Sequence, residues 1–161
     1  MPATIRADEI VGRWGLASFQ NPNDRARTEA AARGQCKQPY VISAGTSGGV
    51  VMHLADQATP QELRLKGSPS GKNYIGPPGP TPGEQDREIV SFDGRVLITR
   101  FIDKDAAVRY GNMVYVRCAP RLTGMRSLTR RNKKRRHARR RLLCMSMNPE
   151  LSVLDASEPK F

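Results

Sequence analysis

The amino-acid sequence predicts a mainly β protein: a small antiparallel β-barrel or closed sandwich of seven or eight strands, with one short helix after the first strand. Short runs rich in β-branched and aromatic residues recur between turn residues from Val11 to Pro120. The pair Asp93-Gly94, typical of a tight hairpin turn, separates the two strongest runs. Residues 121–161 instead carry 12 Lys/Arg against 3 Asp/Glu, which predicts a disordered basic tail.

Most of the positive charge belongs to this tail. The whole chain has a net charge of +12, but residues 1–120 contribute only 15 Lys/Arg against 12 Asp/Glu. We therefore divide the chain into an N-terminal extension (residues 1–9), a β-barrel domain (residues 10–120) and the tail (residues 121–161). No run of about twenty apolar residues is present, so the sequence predicts no transmembrane segment.

The first strand and the helix have clear boundaries. The run GRWGLASF (Gly12–Phe19) reads as a strand. Asn21 then caps a helix that has Pro22 at its first position and stops at Gly34. The apolar positions of this helix are all alanine, so we expect it to lie flat on the barrel or to plug one end.

The remaining strands follow from alternation and turn residues. Residues 39–44 and 49–55 form a hairpin across the Gly-rich segment GTSG, and Leu63 and Leu65 alternate with charged residues in the next strand. Two more strands flank Asp93-Gly94. Residues 103–111 add one helical turn, and residues 112–119 form the last strand.

A Pro/Gly-rich segment, Ser68–Gly83, interrupts these strands. Five prolines between Pro69 and Pro82 exclude continuous helix or a central strand, although residues 72–75 fit a short edge strand. We expect this loop, with Tyr74 and Ile75 beside it, to contact a ligand or partner, because proline lowers the entropy cost of ordering a loop. The alternative is a solvent-facing connector.

No motif in the sequence meets the requirements of a catalytic or metal site. GTSGG (Gly45–Gly49) matches the G-x-S-x-G string, with Ser47 in the nucleophile position and His53 nearby, but strands rather than a strand and a helix flank it. GSPSGKN is one residue short of a phosphate-binding loop. No His, Cys or carboxylate spacing fits a metal. We predict no enzyme activity, no metal site and no cofactor.

Gly12-Arg13-Trp14 resembles the G-x-W signature of lipocalins and related small barrels, among them bacterial periplasmic protease inhibitors. The resemblance implies that Trp14 plugs one barrel end and that Arg117, on the last strand, covers it. It also implies a ligand- or partner-binding role, to which Trp14 would contribute. The helix after the first strand departs from the lipocalin order.

The three cysteines leave two alternatives open. In an oxidising compartment Cys36 and Cys118 could pair and leave Cys144 odd; in a reducing one all three are free thiols. Read from Met1, the chain lacks the apolar stretch of a secretory signal and would be cytoplasmic. A start further upstream would make the barrel periplasmic or secreted.

The run RRNKKRRHARRR (Arg130–Arg141) provides a candidate polyanion-binding segment without aromatic residues for base stacking. Its basic residues are Arg130, Arg131, Lys133, Lys134, Arg135, Arg136, Arg139, Arg140 and Arg141. The abrupt change of composition after Pro120 also fits out-of-frame translation of a GC-rich gene.

The sequence thus predicts a non-enzymatic binding module, a lipocalin-like or inhibitor-like barrel that recognises a small apolar ligand or a protein. The alternative is a nucleic-acid-binding accessory protein that acts electrostatically, without sequence preference, through the basic tail.

Overall fold

The computed structural model describes residues 1–120, in which eight strands form one closed barrel. The strands follow one another around the barrel in sequence order, and each is antiparallel to both neighbours. They are β1 (Gly12–Phe19), β2 (Tyr40–Ala44), β3 (Val50–Met52), β4 (Gln61–Gly67), β5 (Asn73–Gly76), β6 (Arg87–Phe92), β7 (Val96–Phe101) and β8 (Asn112–Arg117). The predicted tail, with its basic run Arg130–Arg141, lies outside the described residues.

The first and last strands close the barrel. β1 pairs with β8 from Trp14–Arg117 to Phe19–Asn112. This pairing confirms the mainly β prediction and decides for a barrel over a sandwich. The expectation of an edge strand at residues 72–75 is wrong, because β5 pairs with both β4 and β6 and a closed barrel has no free edge.

Side chains fill the barrel interior. Alternation along each strand directs every second side chain inward, and an eight-stranded barrel is just wide enough for such side chains to pack. The interior cluster contains Ile10, Trp14, Ile42, Val50, Met52, Leu54, Leu63, Ile75, Ile89, Leu97 and Tyr115, all buried. The barrel is therefore a packed core rather than an open cup.

The predicted helix lies on the outer wall. A 3₁₀ turn (Pro22–Asp24) leads into α2 (Arg25–Gly34), and the Asn21 side chain accepts a hydrogen bond from the Asn23 amide at 3.0 Å. Ala32 is completely buried among outward-facing residues of β1, β7 and β8. Gly15 permits this close contact, because a Cβ at this position would lie only 1.8 Å from the Ala32 carbonyl oxygen.

The N-terminal extension is attached to the barrel. Pro2 forms an isolated bridge with Lys66, and the Thr4 amide donates to Asn73 Oδ1 at 2.8 Å. A short helix, α1 (Ala7–Ile10), follows and buries Ile10 in the core. α1 is not predictable from the sequence pattern, since four residues are too few for a periodic apolar pattern.

Local turn chemistry is as predicted at the β6–β7 hairpin. Asp93 Oδ1 accepts hydrogen bonds from the amides of Arg95 (2.8 Å) and Val96 (2.7 Å), and Gly94 has φ 89°. The two amides hold the pKa of Asp93 below its usual value because they stabilise the carboxylate. α3 (Lys104–Tyr110) is longer than the single turn expected.

A disulfide joins Cys36 and Cys118, with the two Cα atoms 5.6 Å apart. Cys36 lies in the 3₁₀ turn that follows α2 (Gln35–Lys37), and Cys118 follows β8 directly. The bond therefore fixes the helix segment to the strand that closes the barrel. Of the two alternatives that the sequence left open, the structure contains the pair.

Candidate functional site

The topology gives the barrel two different ends. Successive connections of an up-and-down barrel alternate between its ends, so the connections β1–β2, β3–β4, β5–β6 and β7–β8 share one end, here called the open end. Asp56, Glu84 and Arg109, from the last three of these connections, line one depression of about 410 Å³. The other end contains the β6–β7 turn and α1, and we call it the closed end.

Trp14 and Arg117 meet at the closed end. Trp14 is completely buried and donates from Nε1 to the Ile10 carbonyl at 2.9 Å. The guanidinium carbon of Arg117 lies 4.2 Å from the centroid of the Trp14 ring. The structure thus brings together the two residues that the sequence singled out, in a cation–π contact.

Arg117 also ties three segments to one another. Its Nε donates to the Gly94 carbonyl (2.8 Å), Nη1 to the Val11 carbonyl (3.1 Å) and Nη2 to the Glu9 carbonyl. Gly12 permits this approach, because it has φ 148° and a Cβ there would lie 2.9 Å from Arg117 Nη1. The closed end is therefore a structural plug.

Tyr74 and Ile75 do not lie on the surface. Both belong to β5; Tyr74 is 5% exposed and Ile75 is completely buried in the interior cluster. The expected contact through them stays a prediction, but neither offers much surface to a protein. The exposed part of this region is the β5–β6 connection, residues 77–86, where Pro78, Gly79, Pro80 and Pro82 are exposed.

A buried ion pair holds the β5–β6 connection in place. Lys66 Nζ lies 2.6 Å from Asp86 Oδ1, and the two side chains are 10% and 1% exposed. The same ammonium donates to the carbonyls of Pro77 (2.9 Å) and Pro80 (3.4 Å), and the Gly83 amide donates to Asp86 Oδ2 at 2.6 Å. Both ends and the middle of the connection are thereby fixed.

The open end contains a second buried arginine. Arg87 is 3% exposed at the start of β6, and its guanidinium carbon lies 4.8 Å from the centroid of the Phe101 ring. Nη1 donates to the Tyr115 hydroxyl at 3.2 Å and Nη2 to the His53 carbonyl. Nε is buried without a hydrogen-bond partner among the described residues.

Aromatic side chains surround this arginine. The Tyr40 ring lies 5.9 Å from Tyr115 and 5.7 Å from His53, between centroids. Burial raises the pKa of the Tyr40 hydroxyl, so Tyr40 is a neutral donor and acceptor near neutral pH. A cavity of about 250 Å³ opens here, which we call the mouth cavity; it is lined by Leu16, Tyr40, His53, Leu54, Ala55, Asp56, Gln57, Arg87, Phe101, Tyr110, Met113 and Tyr115.

At the rim of the mouth cavity, Asp56 joins the β3–β4 connection to α3. The Tyr110 hydroxyl donates to Asp56 Oδ1, and Arg109 forms an ion pair with Oδ2 at 2.5 Å. The tyrosine hydrogen bond, followed by the arginine, lowers the pKa of Asp56. Its carboxylate is therefore already compensated.

Ser47 lies in a hairpin turn. The segment between β2 and β3 is a turn, in which Glu62 Oε1 accepts from the amides of Ser47 (2.8 Å) and Gly49 (3.0 Å). His53 instead contacts the Tyr40 hydroxyl, 3.2 Å from Nδ1. Within residues 1–120 no hydrogen bond joins Ser47 to His53, so the two do not form a nucleophile–base pair in this structure.

Sequence reasoning missed Arg87, Lys66 and Asp86. A signal for Arg87 was present: in REIVSF it shares the inward face with Ile89, and an arginine at an inward position is unusual. For Lys66 and Asp86 no local pattern exists, because their pairing depends on where the β5–β6 connection folds back.

No family model, curated protein or solved structure matches this chain. Across the described part of the chain no helix is long and apolar enough to cross a membrane. The functional assignment therefore depends on the geometry of the barrel ends and connections.

Proposed function

We propose that the barrel is a non-enzymatic, inhibitor-like binding module that recognises a protein through its β5–β6 connection, residues 77–86. The observation that carries this proposal is the buried Lys66–Asp86 pair, which fixes a proline-rich connection whose tip is exposed. A loop that is rigid before binding loses little conformational entropy when a partner docks. Rigid exposed loops of this kind suit contact with an enzyme cleft.

The filled interior favours a protein over a large apolar ligand. A lipocalin-like cup needs an empty barrel, whereas here Trp14, Met52, Leu63 and Leu97 are completely buried in the centre. The mouth cavity, at about 250 Å³, is smaller than the usual 300–1,000 Å³ of drug-sized ligand sites.

The disulfide supports a location in an oxidising compartment, because disulfides persist in secreted and periplasmic proteins and are rare in the cytosol. Extracellular and periplasmic proteases are then the first partner class to test. The full-length protein would be titrated into serine, cysteine and metalloproteases while residual activity is followed.

The test variant replaces the exposed Pro78 and Pro80 with serine, and neither side chain belongs to the Lys66–Asp86 pair. We expect the affinity for an inhibited protease to fall at least tenfold while the melting temperature changes little. Pro60→Ser is the matched control, since Pro60 is an exposed proline of the β3–β4 connection. No inhibition in any class, or equal loss in the control, would contradict the proposal.

A second proposal is nucleic-acid binding through Arg130–Arg141, favoured by the concentration of basic residues in 121–161. If all nine cations contact phosphates, the logarithm of affinity should fall with the logarithm of salt concentration with a slope of about −8. Replacing the nine with glutamine should abolish this binding and leave protease inhibition unchanged. Sequence-selective, salt-insensitive binding would contradict it.

A further inference from the structure

Arg87 carries a buried positive charge for which residues 1–120 provide no anion. None of the ion pairs in this part of the chain includes it. Lys66, the other strongly buried cation, has Asp86 at 2.6 Å. This difference between Arg87 and Lys66 is important, because burying an ion without a counter-ion costs free energy.

The contacts that Arg87 does make are to neutral groups. A guanidinium has five N–H donors; one is used on the Tyr115 hydroxyl, one on the His53 carbonyl, and Nε has no partner in the described chain. The donor set therefore has unused capacity in a low-dielectric site. A carboxylate fits this capacity well, because it accepts two parallel hydrogen bonds from arginine.

The surroundings set the shape of such an anion. Arg87 forms part of the wall of the mouth cavity, with Leu16, Met113 and the ring of Phe101 also in the wall. Apolar and aromatic walls favour an apolar ligand body, and about 250 Å³ limits its size.

The charge of the ligand is also constrained. Among residues 1–120, Asp56 is the one carboxylate that lines the mouth cavity, and it faces Arg109 and the Tyr110 hydroxyl. A single negative charge would neutralise Arg87, whereas a dianion such as a phosphate monoester would add charge close to Asp56.

From these observations we propose that the open end of the barrel binds a small apolar monocarboxylate, which pairs with Arg87 and packs its apolar part against the aromatic side chains of the mouth cavity. This site is separate from the β5–β6 contact proposed above, and the two can fail independently.

The test compares 3-phenylpropionate with its neutral analogue 3-phenylpropionamide by titration calorimetry on the full-length protein. High salt screens the exposed basic residues, while a buried pair is screened much less. We expect one site per chain and at least tenfold tighter binding of the acid. Equal affinity of acid and amide, or no binding of the acid, would overturn the proposal.

Three variants locate the site. Arg87→Met should abolish the preference for the acid and still fold, because an apolar side chain replaces an uncompensated ion; Arg87→Lys should retain part of it. Arg100→Met is the matched control, an exposed arginine of β7 paired with Glu88, and should bind like wild type. Unchanged binding in Arg87→Met, or equal loss in Arg100→Met, would place the carboxylate elsewhere and refute the assignment.

Discussion

Each end of the barrel contains an arginine over an aromatic ring, but the two arginines have different surroundings. At the closed end, Arg117 lies over Trp14 and donates to three backbone carbonyls from separate segments. At the open end, Arg87 lies over Phe101 with two neutral acceptors and a buried Nε that has no partner in the described chain. Each nitrogen of Arg117 donates to a backbone carbonyl, whereas Arg87 retains unused N–H donors for a ligand.

In this barrel, a structural cation differs from a candidate binding cation in how completely its hydrogen-bond donors are satisfied. Both arginines face the barrel interior, and both form a cation–π contact. The discriminating quantity is hydrogen-bond satisfaction, because a buried donor without an acceptor costs free energy that folding alone does not return.

The largest effect should come from the disulfide, which secures the strand that carries Arg117. Changing Cys36 and Cys118 to serine should lower the free energy of unfolding by roughly 4 kcal/mol, because the bond closes a loop of 82 residues in the unfolded chain. Denaturant titration followed by fluorescence measures it, and Trp14, the single tryptophan, reports the closed end. Cys144→Ser is the control; a loss below about 1 kcal/mol would contradict this account.

Substituting the two arginines tests the comparison directly. Arg117→Met should destabilise the protein by about 3 kcal/mol, because three carbonyls lose a charged donor and Trp14 loses its cover. Arg87→Met should stay within about 1 kcal/mol of wild type or be more stable. Chemical denaturation of both variants gives the two values. Equal destabilisation would mean that Arg87 is also a structural residue.

The smallest effect concerns Asp56 at the rim of the open end. Its pKa is lowered in the folded protein, so its contribution to stability is complete above the unfolded value of about 3.9 and is lost as pH falls through the folded pKa. Asp56→Asn should therefore be slightly less stable than wild type at neutral pH, and the gap should close in acid. Melting temperatures across pH 2 to 7 test this; a gap that widens in acid would refute it.

Much of the fold was predictable from local patterns. Asp93-Gly94 specified its hairpin because the turn needs a carboxylate acceptor followed by a residue with positive φ, and both are local requirements. Asn21 and Pro22 predicted the start of the helix segment, because the requirements of a helix N-terminus are also local. Less of the candidate site was predictable: Trp14 and Arg117 belonged to a recognisable signature, whereas Lys66, Asp86 and Arg87 did not.

Local sequence patterns account for the strands, the turns, the helix segment and the concentration of charge in residues 121–161, because periodicity, turn chemistry and composition act over a few residues. The pairing of β1 with β8, the Cys36–Cys118 bond and the burial of Arg87 without an anion from residues 1–120 appear only in the folded barrel. Those outcomes depend on which distant segments come together when the barrel closes. Whether the donors of Arg87 find acceptors, and therefore where the candidate binding site lies, depends on how the barrel closes.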